Sequence, residues 1–173
     1  MTEATNNNPQ VGIIMGSDSD LPIMAEAAKM LKQFSISFEI EIASAHRSPV
    51  RTSEYARTAR QRGLKAIIVG SGAAAALAGV VAAETTVPVI GVPIASSPLS
   101  GMDALLSTVQ MPGGVPVGTM AIGKAGAINA AIYAAEIIGT YDPEVEARLA
   151  AFKEQQARSV AEKSEKVKRE FQV

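Results

Sequence analysis

The run Ser44-Ala45-His46-Arg47-Ser48-Pro49 sets an imidazole beside a guanidinium, and its histidine is the only one among 173 residues. An unperturbed imidazole titrates near pH ~6.5, so one ring can deliver a proton and later remove one at working pH, while a guanidinium can grip an anion with two donors. A second run, Gly16-Ser17-Asp18-Ser19-Asp20, offers hydroxyls, carboxylates and backbone N–H groups suited to an anion or a sugar hydroxyl. Its two carboxylates repel a phosphate. One is therefore expected to cap a helix and the other to face a ribose diol, with Arg47 or Lys124 supplying positive charge. A lone His–Arg pair is also common on surfaces; both runs, however, follow a strand pattern, and strand ends are where open α/β proteins bind ligands.

The elements that must position these runs are legible in order. Val11 to Met15 is almost continuously apolar and closed by Gly16, the pattern of a central strand. Apolar residues at Ile23, Ala27, Met30, Leu31 and Phe34 then predict a helix, with Asp20 as cap and Pro22 in the first turn. Ser37 to Ala43 alternates as a second strand, and Ser48 as cap with Pro49 as first residue predicts a helix ending at Gly63. Ala66 to Val69 reads as strand three, terminated by Gly70-Ser71-Gly72 and followed by a small-residue helix from Ala73 to Thr85. Val87 to Val92 reads as strand four, its start blurred by Pro88. A helix from Met102 to Val109, a non-helical Met111–Pro116, a fifth strand over Val117–Ile122 and a buried helix over Ala125–Ile138, stopped by Gly139, complete the alternation.

Strands alternating with helices demand parallel pairing through right-handed crossovers. The expected architecture is a flavodoxin-like three-layer sandwich with a five-stranded parallel sheet of order 2-1-3-4-5 and a C-terminal helix. Residues 1–10 are expected to be a disordered tail, 11–140 the catalytic domain and 141–173 a charged helical extension with a solvated face. In that strand order the loops after strands one, two and three share a crevice.

Bulk composition narrows the partners. A net charge of −1 gives no general pull toward nucleic acid or an anionic membrane, so a small molecule held by local groups is expected. The absence of cysteine excludes disulfides and thiolate metal sites, and one histidine excludes a histidine cluster, so no metal is expected. Neither a secretion signal in Met1–Gln10 nor an apolar run long enough to span a bilayer is present, which points to a cytoplasmic protein. A receiver domain would need an aspartate ending strand three, where Gly70-Ser71-Gly72 stands; a flavin binder would need sandwiching aromatic rings, and a dinucleotide fingerprint is absent after strand one.

Six runs then carry a more specific signal: Val11–Asp20, Ser44–Arg47, Pro88–Pro93, Leu99–Asp103, Val109–Gly118 and Ala121–Gly126. In order and in register over Val11 to Gly139, they resemble the PurE family, the N5-carboxyaminoimidazole ribonucleotide mutases of purine biosynthesis. The resemblance implies a flavodoxin-like subunit, a homo-octamer, and a transfer of carboxylate from the exocyclic nitrogen to C4 of an aminoimidazole ribonucleotide without cofactor or metal. By position it implies that Ser17 and Asp20 bind the ribonucleotide, Arg47 contacts its anionic groups, His46 is the acid/base residue, and Ser44 and Gly72 help shape the substrate site.

One stretch departs from the pattern. After strand three the family usually reads Gly-Ala-Gly-Gly-Ala-Ala-His-Leu-Pro-Gly, whereas this chain runs from Gly70 to Gly79 as Gly-Ser-Gly-Ala-Ala-Ala-Ala-Leu-Ala-Gly. Ala76 replaces a second active-site histidine, Ala78 a proline, and Ala73 a glycine where backbone must approach ligand. The Ala-Leu-x-Gly ending is similar to a sister branch that carboxylates aminoimidazole ribonucleotide directly with carbon dioxide. Arg47 and Gln110–Gly114 side with the mutases. Direct carboxylation and a degenerate nucleotide-binding paralogue stay open as alternatives.

Overall fold

The computed structural model describes residues 8–171. Five parallel strands, β1 (Val11–Met15), β2 (Phe38–Ile42), β3 (Ala66–Gly72), β4 (Val89–Ile94) and β5 (Gly118–Thr119), form one sheet in the order β2-β1-β3-β4-β5. Helices cover both faces: α1 (Leu21–Gln33), α2 (Pro49–Thr58), α3 (Leu77–Glu84), α4 (Met102–Val109), α5 (Lys124–Gly139) and α6 (Pro143–Phe171). The flavodoxin-like sandwich expected from the alternation is the observed fold. The first seven residues of the expected tail lie outside the described residues, while Gln10 donates its backbone N–H to Ser37 O at 2.9 Å beside the start of β1.

Two apolar layers sandwich the sheet. On one side Ile13, Met15, Ile68 and Ile90 pack against α1 and α5; on the other, Ile14, Ile67 and Val69 pack against α2 and α3. Small residues along α5 (Gly126, Ala127, Ala130, Ala131, Ala134) are fully enclosed, so this apolar helix lies against α1 at close range. α6 anchors only by its first turns. Val145 and Leu149 are buried, Phe152 meets Phe34 edge-on at 5.4 Å, Arg148 donates to Phe34 O at 3.1 Å, and the rest projects into solvent.

Several boundaries differ from expectation. β3 does not stop at Val69: Gly70, Ser71 and Gly72 continue the ladder opposite Val92, Pro93 and Ile94. Glycine at position 70 fits the strand because a methyl there would run into the Met24 side chain from α1. β4 starts after Pro88, whose carbonyl accepts from Ile67 N at 2.9 Å, and runs two residues further than Val92. α3 starts at Leu77 rather than Ala73, because Ala73 adopts a left-handed φ of 51° and Ala75 N closes a turn on Gly72 O at 3.1 Å. α2 ends at Thr58 rather than Gly63, and β5 keeps only two residues of the expected six from Val117 to Ile122.

A candidate active site at the carboxyl ends of the strands

The loop after β2 is closed by its own serines. Ser48 Oγ accepts from Ser44 N at 2.9 Å and donates to Ser44 O at 3.2 Å, while Ser48 N donates to the same carbonyl at 2.8 Å. The expected helix cap is therefore absent: Ser48 makes no side-chain bond to α2, because its hydroxyl is used across the loop. Ser44 Oγ in turn accepts from Arg47 N at 3.2 Å. The clamp leaves His46 and Arg47 exposed at the turn.

Arg47 ties this loop to its neighbour. Its Nη2 donates to Gly16 O at 2.7 Å and its Nε to Ser44 Oγ at 3.4 Å, so one guanidinium bridges the loops after β1 and β2. In the first of these loops Asp18–Asp20 form a 3₁₀ turn capped by Ser17, whose Oγ accepts from Ser19 N at 3.3 Å. Asp20 does not cap α1 with its side chain, contrary to expectation; the turn points it inward, 6% exposed.

Burial dominates the electrostatics of Asp20 and raises its carboxyl above the ordinary value of 3.8; a hydrogen bond with the Ser17 backbone and the positive charge of Arg47 oppose the rise, and Asp18 adds to it. A carboxyl raised in the folded state favours folding most when protonated, below its unfolded value, and loses that contribution as pH rises through the folded value. Asp20→Asn is accordingly expected to match or exceed the wild type in stability at pH 7 and to lose that advantage as pH falls through the carboxyl range. Chemical denaturation at both ends of that range checks it, and a variant less stable only at pH 7 would contradict the sign.

These loops converge on a cavity of about 300 Å³. Ser17, Asp20, Ser44, His46, Arg47 and Gly72 all line it, so the structure brings together every site residue expected from the sequence. Lys124 is not among the lining residues; it opens α5, where its electrostatic neighbour is Glu26. Arg47 is thus the only arginine or lysine lining the cavity among the described residues. Ala76 lines the wall with Ala75 and Leu77, whereas Ala73 is exposed and off the cavity, so its methyl strains the backbone rather than crowding a ligand.

Three serines on the wall, Ser19, Ser71 and Ser96, were not among the expected site residues, and Ser19 belongs to the Gly16–Asp20 run. Ser96 enters from the loop after β4, packed so closely on Gly72 that a methyl at Gly72 would overlap its side chain. Ser71 enters from the last turn of the β3 ladder. Both follow from strands longer than the sequence pattern suggests. Extending strand four to Ile94 would have placed Ser96 just past a strand end like the other loops. One imidazole, one guanidinium, a buried carboxylate and several hydroxyls around an apolar wall suit proton transfer on a small, hydroxylated anion.

Residues 10–159 match the family model described as AIR carboxylase. The N5-carboxyaminoimidazole ribonucleotide mutase of Thermotoga maritima is 54% identical over 159 residues, covering 92% of each chain. That of Pyrococcus abyssi is 55% identical over 150 residues, covering 87% of this chain and 85% of the relative. Among solved structures, the crystal structure of Treponema denticola PurE superposes with a TM-score of 0.83 at 30% identity, covering 92% of this chain and 99% of that one.

Proposed function

The chain belongs to the AIR carboxylase family, and from that premise we propose that it converts N5-carboxyaminoimidazole ribonucleotide to 4-carboxyaminoimidazole ribonucleotide, with His46 as general acid and base. The observation that carries this reading is the cavity itself, where three loops bring the chain's only histidine together with Arg47 and Asp20.

In this reading Arg47 holds an anionic group of the ribonucleotide, Ser17 and Asp20 hold its ribose side, and Gly72 leaves the floor open for the ring. The carbamate C–N bond breaks and releases carbon dioxide into the cavity as the His46 imidazolium gives its proton to the exocyclic nitrogen. The electron pair of the C4–C5 bond then attacks carbon dioxide and forms a C–C bond at C4. The His46 imidazole removes the C4 proton, which restores the aromatic ring and the imidazolium. One proton is given and one recovered, so the ring returns to its starting state and no second acid is required.

Direct carboxylation of aminoimidazole ribonucleotide is the second reading, supported by the Ala76-Leu77-Ala78-Gly79 sequence, whose first two residues line the cavity. Both share the C–C step and differ in where carbon dioxide originates. Purified protein is expected to form 4-carboxyaminoimidazole ribonucleotide from the N5-carboxylated isomer. Turnover only with aminoimidazole ribonucleotide and bicarbonate would replace the mutase by the carboxylase, and silence with both would leave a nucleotide-binding paralogue. A cytoplasmic homo-octamer accompanies the proposal; the half-exposed apolar stripe Leu99, Met102, Leu106 and Val109 on and before α4 supports assembly. Light scattering should return about eight times the 17.9 kDa subunit mass.

A further inference from the structure

We propose that Ser71 is a substrate-contacting residue of this chain, its hydroxyl donating a hydrogen bond to the carboxylate in transit from the wall that Ala76 leaves without a polar group. The proposal rests on the carboxylate-transfer reading of the cavity and names a further residue for it.

Ser71 is 6% exposed, yet it lines the cavity, so the little surface it retains faces the site. The alternation of β3 puts it on the face of Ile67 and Val69, under α2 and α3, while Gly70 turns the other way toward Met24. Leu77 belongs to that same layer, and Ala76 precedes it on the cavity wall.

Of the cavity's other serines, Ser19 and Ser96 are exposed, and the half-buried Ser17 and Ser44 are engaged within the protein. Ser17 Oγ donates to Asp18 and accepts from Ser19 N, and Ser44 Oγ accepts twice from Arg47. The Ser71 hydroxyl makes no hydrogen bond with any described residue. It is not one of the fully enclosed polar atoms left without a partner, so it stays reachable from the cavity, where a ligand oxygen can accept from it.

Position 71 also carries alanine in the family pattern that places histidine where Ala76 stands. The chain therefore loses a polar group on one element of the wall and gains one on the adjacent strand. A neutral hydroxyl suits this station. It gives no proton away, so it leaves the acid/base cycle to His46, and it holds a carboxylate oxygen or the oxygen of released carbon dioxide while the C–N bond breaks and the C–C bond forms.

The test is selective binding by Ser71→Ala, a change to a smaller residue in a buried strand; a thermal melt verifies folding. Calorimetry of wild type and variant with 4-carboxyaminoimidazole ribonucleotide and with aminoimidazole ribonucleotide is expected to show the first weakened roughly 10- to 100-fold, the range for one hydrogen bond to a charged group, and the second unchanged. Equal weakening of both ligands, or of neither, would overturn the proposal. Should the wild type bind both nucleotides without interconverting the carboxylated isomers, the mutase reading falls while selective loss in Ser71→Ala still supports this one. A wild type that binds neither nucleotide overturns both.

Discussion

His46→Asn is expected to lower kcat by roughly 10²- to 10⁴-fold, the span of one positioned acid/base group, while the melting temperature stays close to that of the wild type. The asymmetry between activity and stability follows from placement. His46 is exposed on a loop whose closure depends on Ser44 and Ser48, so removing the ring breaks none of the bonds that hold the loop. No other imidazole exists in the chain to take over, and the replacement of the family's second histidine by Ala76 removes the nearest substitute. In the proposed cycle the same ring gives the proton to nitrogen and takes it from C4, so the variant is expected to fail in both directions, including exchange of label from carbon dioxide into the product carboxylate. Steady-state kinetics alongside a thermal melt checks this; a variant that retains more than a tenth of wild-type kcat would remove His46 from the mechanism.

Arg47→Ala is expected to raise the dissociation constant for the ribonucleotide by about 100-fold, at the upper end for charge-assisted hydrogen bonds. Two losses combine. The cavity forfeits its only guanidinium among the described residues, and the loops after β1 and β2 lose the bridge from it to Gly16 O and Ser44 Oγ. Titration with the ribonucleotide and with the matching nucleoside separates them. A loss confined to the ribonucleotide assigns Arg47 to the phosphate, whereas an equal loss on the nucleoside makes it chiefly a loop staple. Arg47→Lys keeps the charge but not the fork that reaches two acceptors at once, so it is expected to recover only part of the affinity. Full recovery would show that charge alone matters.

The site was legible in the sequence to the extent that it follows from strand ends. Gly16–Asp20 and Ser44–Arg47 each stand directly after an alternating or apolar run, and the order β2-β1-β3 brings those two loops to the carboxyl end of the third strand. Ser71 and Ser96 escaped for one shared reason. The pattern closes strand three at Gly70–Gly72 and strand four at Val92, although the ladder continues through Gly72 and Ile94. A terminator read too early moves the following residues off the sheet's edge and out of the site.

Capping shows the same limit at closer range. Asp20 and Ser48 have the chemistry of helix caps and stand where caps belong, but Asp20 turns into the cavity and Ser48 closes the loop on Ser44. Local propensity cannot rank a cap against a competing hydrogen-bond partner within the same loop. Ala73 is a further instance. Alanine favours helix, yet the turn from Gly72 to Ala75 holds it at φ 51°.

By itself the sequence determined the layers, the strand order and the chemistry available, because hydrophobic period and the handedness of crossovers are properties of the chain in order. Only the tertiary structure decided which polar groups are free to meet a ligand. That depends on how each polar group is used by its neighbours in space: Arg47 reaches Gly16 O on another loop, Ser48 closes on Ser44, and Ser71 lines the cavity near the end of β3.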